Sequence, residues 1–126
     1  RAVMLENLRL VTIGDHHVRI TQTNNSYLFL GLALGLISAK ARRVTDGMIM
    51  AATKELVQHL PTRTDKHAPL LPPLGQARAL SRDIARAVGR QAIRDGQARI
   101  ADEAALEREL DANIWDPRYV PYHRAR

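Results

Sequence analysis

The chain has 126 residues, enough for one domain with a modest core. It is 45% hydrophobic and 25% charged, the balance of a soluble globular protein, with a net charge of +6 and no cysteine. These features exclude disulfides and cysteine-ligated metal sites and fit a reducing compartment. They permit contact with nucleic acid or an anionic surface without establishing it.

Taken in order, the chain opens on Arg1 rather than on a start methionine, so it reads as a fragment or a trimmed protein, and its first residues do not resemble a signal peptide. Residues 1–7 suit a frayed helix and a strand lead-in equally. Residues 8–13 alternate and are β-branched, which predicts a strand. Gly14-Asp15-His16-His17 predicts a turn, and residues 18–23 a second short strand. Two adjacent amides, Asn24 and Asn25, then stand before an apolar, glycine-punctuated run. A strand that ends in polar side chains where a helix begins is a common ligand site in α/β proteins. Two carboxamides there donate and accept at once, which suits a hydroxy acid, a carboxylate or a nicotinamide carboxamide. The same residues also favour plain turns, because their side chains bond local backbone.

Residues 30–41 have a helical pattern, with Gly31 and Gly35 on one face where another backbone can approach closely. No Gly-Lys-Ser/Thr follows, so the pair is not a phosphate loop. The longest uncharged apolar stretch, residues 27–39, falls short of the roughly 20 residues that span a bilayer. Thr45 is placed to cap a helix reaching about residue 60, with Met48, Ile49, Ala52, Leu56 and Leu60 on its apolar face. The proline-bearing stretch 61–73 reads as a linker. A further helix is expected over about 76–95, stopped by Gly96, with Leu80, Ile84 and Val88 inward. It carries Arg78, Arg82, Arg86, Arg90 and Arg94, a four-residue spacing that winds slowly around a 3.6-residue helix. Such a band either tracks phosphates or is a solvated face whose stems shield apolar surface. Asp83 and Asp95 interrupt it and no aromatic platform accompanies it, so nucleic-acid binding is disfavoured. Asp102 is placed to cap a last helix to about residue 113, with Leu106, Leu110 and Ile114 inward. Its Glu103, Glu107, Glu109 and Asp111 complement the arginine-bearing helix. Trp115, Pro117, Tyr119, Pro121 and Tyr122 form an aromatic, extended arm. The five histidines show no i, i+4 ligand pair, and no nucleophile–His–acid arrangement is apparent.

Five blocks in order resemble the C-terminal part of malic enzymes: Thr23-Asn24-Asn25 with Phe29-Leu30-Gly31-Leu32-Ala33-Leu34-Gly35; Ala41-Arg42-Arg43-Val44-Thr45-Asp46-Gly47-Met48; Leu70-Leu71-Pro72-Pro73-Leu74; Ser81-Arg82-Asp83-Ile84-Ala85 with Val88; and Ala112-Asn113-Ile114-Trp115-Asp116-Pro117-Arg118-Tyr119. The resemblance implies an α/β fold, the C-terminal portion of a Rossmann-type NAD(P)-binding domain, here mostly α-helical with a short β element. It places residues 1–25 as the last strands of that sheet, 26–96 as helices packing on a catalytic domain, and 97–126 as a C-terminal helix and aromatic tail. It implies a part in the oxidative decarboxylation of malate to pyruvate and CO2, dependent on NAD or NADP and on Mg2+ or Mn2+, in a cytoplasmic enzyme. By resemblance Asn25 hydrogen-bonds the malate carboxylate and Asn24 lies on the cofactor side. The family's metal ligands, catalytic Lys and Tyr and glycine-rich loop lie upstream and have no counterpart here, so the chain alone is expected to be inactive. The implied partners are malate and the rest of a malic enzyme chain or further copies, with no membrane. Leu30 stands where the family usually has Pro and Ala33 where it has Gly, and of a Gly-Ser-Pro-Phe block only Gly14 remains. A basic helical nucleic-acid-binding or assembly module without catalysis is the alternative.

Overall fold

A single helix, α3 (Ala77–Arg94), is the element on which the other helices pack. The computed structural model describes residues 10–21 and 24–114. It runs β1 (Leu10–Ile13), β2 (His16–Arg19), α1 (Ser26–Ser38), α2 (Asp46–Gln58), α3 and α4 (Glu103–Asn113), with single 3-10 turns at Pro61–Arg63 and Leu74–Gln76. The readings for residues 1–9, for Gln22 and Thr23, and for the aromatic tail from Trp115 fall outside the described residues.

Strands β1 and β2 form an antiparallel hairpin in which Leu10 faces Arg19 and Ile13 faces His16. The loop is therefore only Gly14-Asp15, two residues shorter than the turn expected over 14–17, and β2 starts at His16 rather than Val18. The cause is Gly14, whose φ of +60° supplies the positive dihedral that a two-residue hairpin loop demands at its first position. Strand pairing then captures His16 and His17, which composition alone assigns to a turn.

Helix α1 begins at Ser26, directly after the amide pair and four residues before the predicted start. Its residues are apolar on all sides, the signature of a helix meant for burial. One side packs on α3 through the two glycines: a Cβ on Gly31 would lie 2.6 Å from Ile84 Cβ and 2.8 Å from the Ser81 carbonyl oxygen. One on Gly35 would lie 2.5 Å from the Ala85 carbonyl oxygen. The close-packing role expected for this pair is what the structure shows. The helix ends in a Schellman motif, with Lys40 N–H donating to the Ile37 carbonyl and Ala41 N–H to that of Leu36. Lys40 takes the left-handed position at φ +50°, where glycine is usual. At the end of α3 the same motif has Gly96 at φ +65°, as the sequence predicts.

Thr45 caps α2 as expected, its hydroxyl accepting from Met48 N–H at 3.2 Å. Met48 and Ala52 are buried and Leu56 and Leu60 pack at the core edge, but Ile49 is exposed. On α3 the small residues Ala77, Ser81, Ala85, Gly89 and Ala92 are buried beside Leu80, Ile84 and Val88, so neighbours approach its axis from several sides. Asp102 caps α4 through Ala105 N–H at 2.7 Å, and Leu106 and Leu110 are buried.

The arginine band faces α4. Arg86 Nε donates to Glu107 Oε1 at 2.5 Å, Arg90 Nε to Glu103 Oε2 at 3.0 Å, and Arg82 pairs with Asp111. Each step of four along α3 meets a step of four in the reverse direction along α4, the register of two antiparallel helices. Lys40, at the end of α1, adds a pair with Glu109 at 2.5 Å. No helix among the described residues is long and apolar enough to cross a membrane.

Candidate functional site

The amide pair stands between the hairpin and α1, and both side chains are exposed. Asn24 Oδ1 accepts from Ser26 N–H at 2.8 Å and from the Ser26 hydroxyl at 2.7 Å. A backbone N–H can only donate, so the atom facing it must be the carboxamide oxygen, which fixes the amide's orientation. Asn24 thus closes an Asx turn at the helix entrance and keeps its NH2 as a donor toward solvent. The turn reading and the ligand reading are compatible in this residue: the oxygen serves the fold and the nitrogen is presented outward. Asn25 sits in helical conformation (φ −60°, ψ −22°), its carbonyl accepting from Leu28 and Phe29 N–H. Its side chain makes no capping bond, which leaves a donor and an acceptor on the surface.

Two hydrogen bonds bracket the pair, and both run to the proline linker. Leu70 N–H donates to Thr21 Oγ1 at 2.9 Å, and the Tyr27 hydroxyl donates to the Pro72 carbonyl at 2.7 Å. Tyr27 is 5% exposed, and Leu71 and Pro72 are buried with it. Neither Thr21 nor Tyr27 stands out in the sequence, because their partners lie 49 and 45 residues away and no local period announces them. The linker was legible as a linker, but not as a support for this junction.

Beyond the junction, α1 presents Phe29, Leu30, Ala33 and Ile37 to solvent, a continuous stripe at helical spacing with Phe29 58% and Ile37 61% exposed. A groove of about 530 Å3 lies elsewhere, between α2 and α3, lined by Gly47, Met50, Lys54, Arg90 and Arg94 among others. No residue of the junction contributes to it.

Charge elsewhere is absorbed by structure. Asp95 accepts from the Thr45 hydroxyl at 2.5 Å and from Gln91 Nε2 at 2.7 Å, and these bonds hold its carboxyl below the usual aspartate range. The Arg86 guanidinium, bonded to Glu107, holds that carboxyl below the usual glutamate range, and Glu107 in turn raises Arg86. The band expected either to track phosphates or to lie solvated is instead largely paired with α4. Among the described residues no three His, Asp or Glu side chains gather where a metal ion would be held. The described residues do not fit a metal centre. They do fit the amide-recognising edge of a carboxylate or a nicotinamide carboxamide, through the outward NH2 of Asn24 and both ends of the Asn25 carboxamide.

Comparison with known proteins agrees with the order of the sequence blocks. Residues 7–93 match the family described as malic enzyme, NAD binding domain. The chain is 43% identical over 114 residues to an NAD-dependent malic enzyme of Pseudomonas aeruginosa strain PAO1, covering 90% of this chain and 20% of that protein. It is 40% identical over 110 residues to the NAD-dependent malic enzyme of Psychromonas ingrahamii, covering 87% and 20%. A Shewanella sediminis protein of the same name is 40% identical over 114 residues, again covering 90% and 20%. The chain therefore spans about one fifth of the length of the curated relatives it matches. Blocks in order, a domain match over residues 7–93 and relatives at 40–43% identity lead to one assignment: this chain belongs to the malic enzyme family, and its residues 7–93 correspond to the NAD-binding domain.

Proposed function

We propose that this chain supplies the malate- and nicotinamide-facing amide pair of an NAD(P)- and divalent-metal-dependent malic enzyme, which oxidises and decarboxylates malate to pyruvate and CO2. The observation that carries the reading is the exposed junction, where Asn24 has its oxygen tied to Ser26 and its nitrogen turned outward beside an unengaged Asn25 carboxamide. In this reading Asn25 donates to the malate carboxylate. Asn24 acts only as a donor, toward an oxygen on the cofactor side. NAD or NADP, when bound, takes up the hydride from malate. The metal ligands and the groups that move protons belong to the other parts of the enzyme.

The bare apolar stripe of α1 supports the same reading. A helix apolar all round belongs in an interior, and the stripe of Phe29, Leu30, Ala33 and Ile37 starts at the first turn after the amide pair and runs the length of α1. The remaining protein of a malic enzyme would cover them and complete the site at once. The chain alone is then expected to give no turnover with malate, NAD or NADP and Mn2+, and to self-associate in size-exclusion chromatography with light scattering. Substituting Phe29 and Ile37 by Glu should shift it toward monomer. Turnover by the chain alone, or a tightly folded monomer without those substitutions, would count against the reading. The alternative of a basic nucleic-acid module draws less support, because Arg82, Arg86 and Arg90 are paired with the acids of α4.

A further inference from the structure

The proline linker spans residues 61–73 and ends in Leu70-Leu71-Pro72-Pro73. It touches the rest of the molecule at an informative place. Leu70 N–H and the Pro72 carbonyl each bond a residue flanking the amide pair, one on the hairpin side and one inside α1. Thr21 and Tyr27 are six positions apart, and every residue of the junction lies between them. We infer that the Leu70–Pro73 segment is a brace that sets the position of Asn24 and Asn25, and that Tyr27 and Thr21 are positioning residues for malate binding. This inference rests on the reading of the amide pair given above.

Three observations favour bracing over incidental contact. First, the linker is stiff. Two successive prolines fix their own φ and restrict the residues before them, and Pro73 sits at φ −57°, ψ 144°, the polyproline geometry. Second, it is anchored, with Leu71 buried in the core next to the Pro72 that accepts the Tyr27 bond. Third, the Tyr27 bond is made inside the protein, where a lost partner leaves the Pro72 carbonyl without one. The amide pair itself has no comparable hold: Asn24 bonds only within its own turn, and the Asn25 side chain makes no cap bond. A recognition pair on an exposed turn loses affinity if it must be ordered on binding. Hydrogen bonds from both flanks to a rigid segment, anchored by the buried Leu71 and Pro72, reduce that loss in advance.

The test uses Y27F, which keeps the ring and removes the hydroxyl that donates to Pro72, and T21V, which removes the oxygen that accepts from Leu70 N–H without changing shape. T21S restores the hydroxyl as the conservative rescue. Hydrogen exchange on the 126-residue chain should show amides of residues 24–28 exchanging several-fold faster in Y27F and T21V, at wild-type rates in T21S, and with helix α3 unchanged. The same substitutions are then made in the Pseudomonas aeruginosa enzyme carrying this chain in place of its matched residues. There the KM for malate should rise about fivefold, a change within the reach of one lost hydrogen bond, while kcat stays within about twofold. N25A in that protein checks the reading underneath. If N25A raises KM but Y27F and T21V do not, the brace is overturned and the amide reading stands. If N25A leaves KM unchanged, the amide reading and the brace fall together. Uniformly faster exchange across α1 and α3 would show a merely structural role and also overturn the proposal. T21V, whose side chain is only partly buried, keeps the test decisive if Y27F fails to fold.

Discussion

Thr45 shows how one side chain holds two elements. Its oxygen accepts from Met48 N–H and its hydrogen goes to Asp95 at the end of α3, so the start of α2 and the end of α3 are pinned together. Losing a Thr cap costs about 0.5–2 kcal/mol, and T45A should fall in the upper part of that range because the Asp95 bond is lost as well. Urea unfolding of T45A and T45S measures it, and T45S should recover most of the difference. Asn24 is the other residue with a divided role, since its oxygen is spent on the turn and its nitrogen is not. Lys40 stands where the backbone would favour glycine, and its Nζ–Glu109 pair is the contact that a glycine would forgo.

At the scale of elements, glycine spacing and charge spacing set the packing. Helices α1 and α3 approach so closely that a methyl group on Gly35 would strike backbone at the Ala85 carbonyl oxygen, 2.5 Å away, and Val88 Cβ at 2.8 Å. A Gly-to-Ala change gains about 1 kcal/mol of helix propensity, and overpacking a core costs about 1–3 kcal/mol. Backbone cannot yield locally, so the cost should win for G35A, with a net loss of about 1–2 kcal/mol by chemical denaturation. At Gly89 the obstructing atoms are the methyl ends of Leu106. These can turn aside, so G89A should lose less than G35A. The reverse order would mean that α4, not α1, is the tighter neighbour of α3.

Across the whole molecule, α4 is fastened by ion pairs from α3 and α1 around two buried leucines. Exposed and half-exposed pairs contribute little singly, about 0.2–1 kcal/mol each, but three in register and a fourth from Lys40 make docking sensitive to salt and acid. The Glu107 carboxyl is held below its ordinary range in the folded chain. Its contribution is therefore present above the unfolded glutamate range and is lost as pH falls through the folded value. Stability measured by thermal unfolding should decline on acidification below the ordinary glutamate range, with a shallower decline in E107Q. A decline of the same slope in E107Q would assign acid sensitivity to other carboxylates, Asp95 first among them. The exposed stripe of α1 belongs to this scale too. Its Phe29, Leu30 and Ile37 are each more than half exposed, and they give the molecule a side that self-assembly or the remaining enzyme is expected to fill.

The sequence by itself determined the element order, the caps at Thr45 and Asp102, the stop at Gly96, the glycine face of α1 and the family, because each is written in local chemistry or in short blocks. It also suggested, from opposite charge, that the acidic last helix lies against the arginine helix. Only the tertiary structure decided that the turn at Gly14 has two residues and that the basic band is spent on α4. It alone also showed that Tyr27 and Thr21 reach the proline linker. The first outcome rests on the backbone of Gly14 and the pairing across it; the other two depend on contacts between residues far apart in the chain, and no period or composition within a window of a dozen residues carries information about a partner 45 positions away.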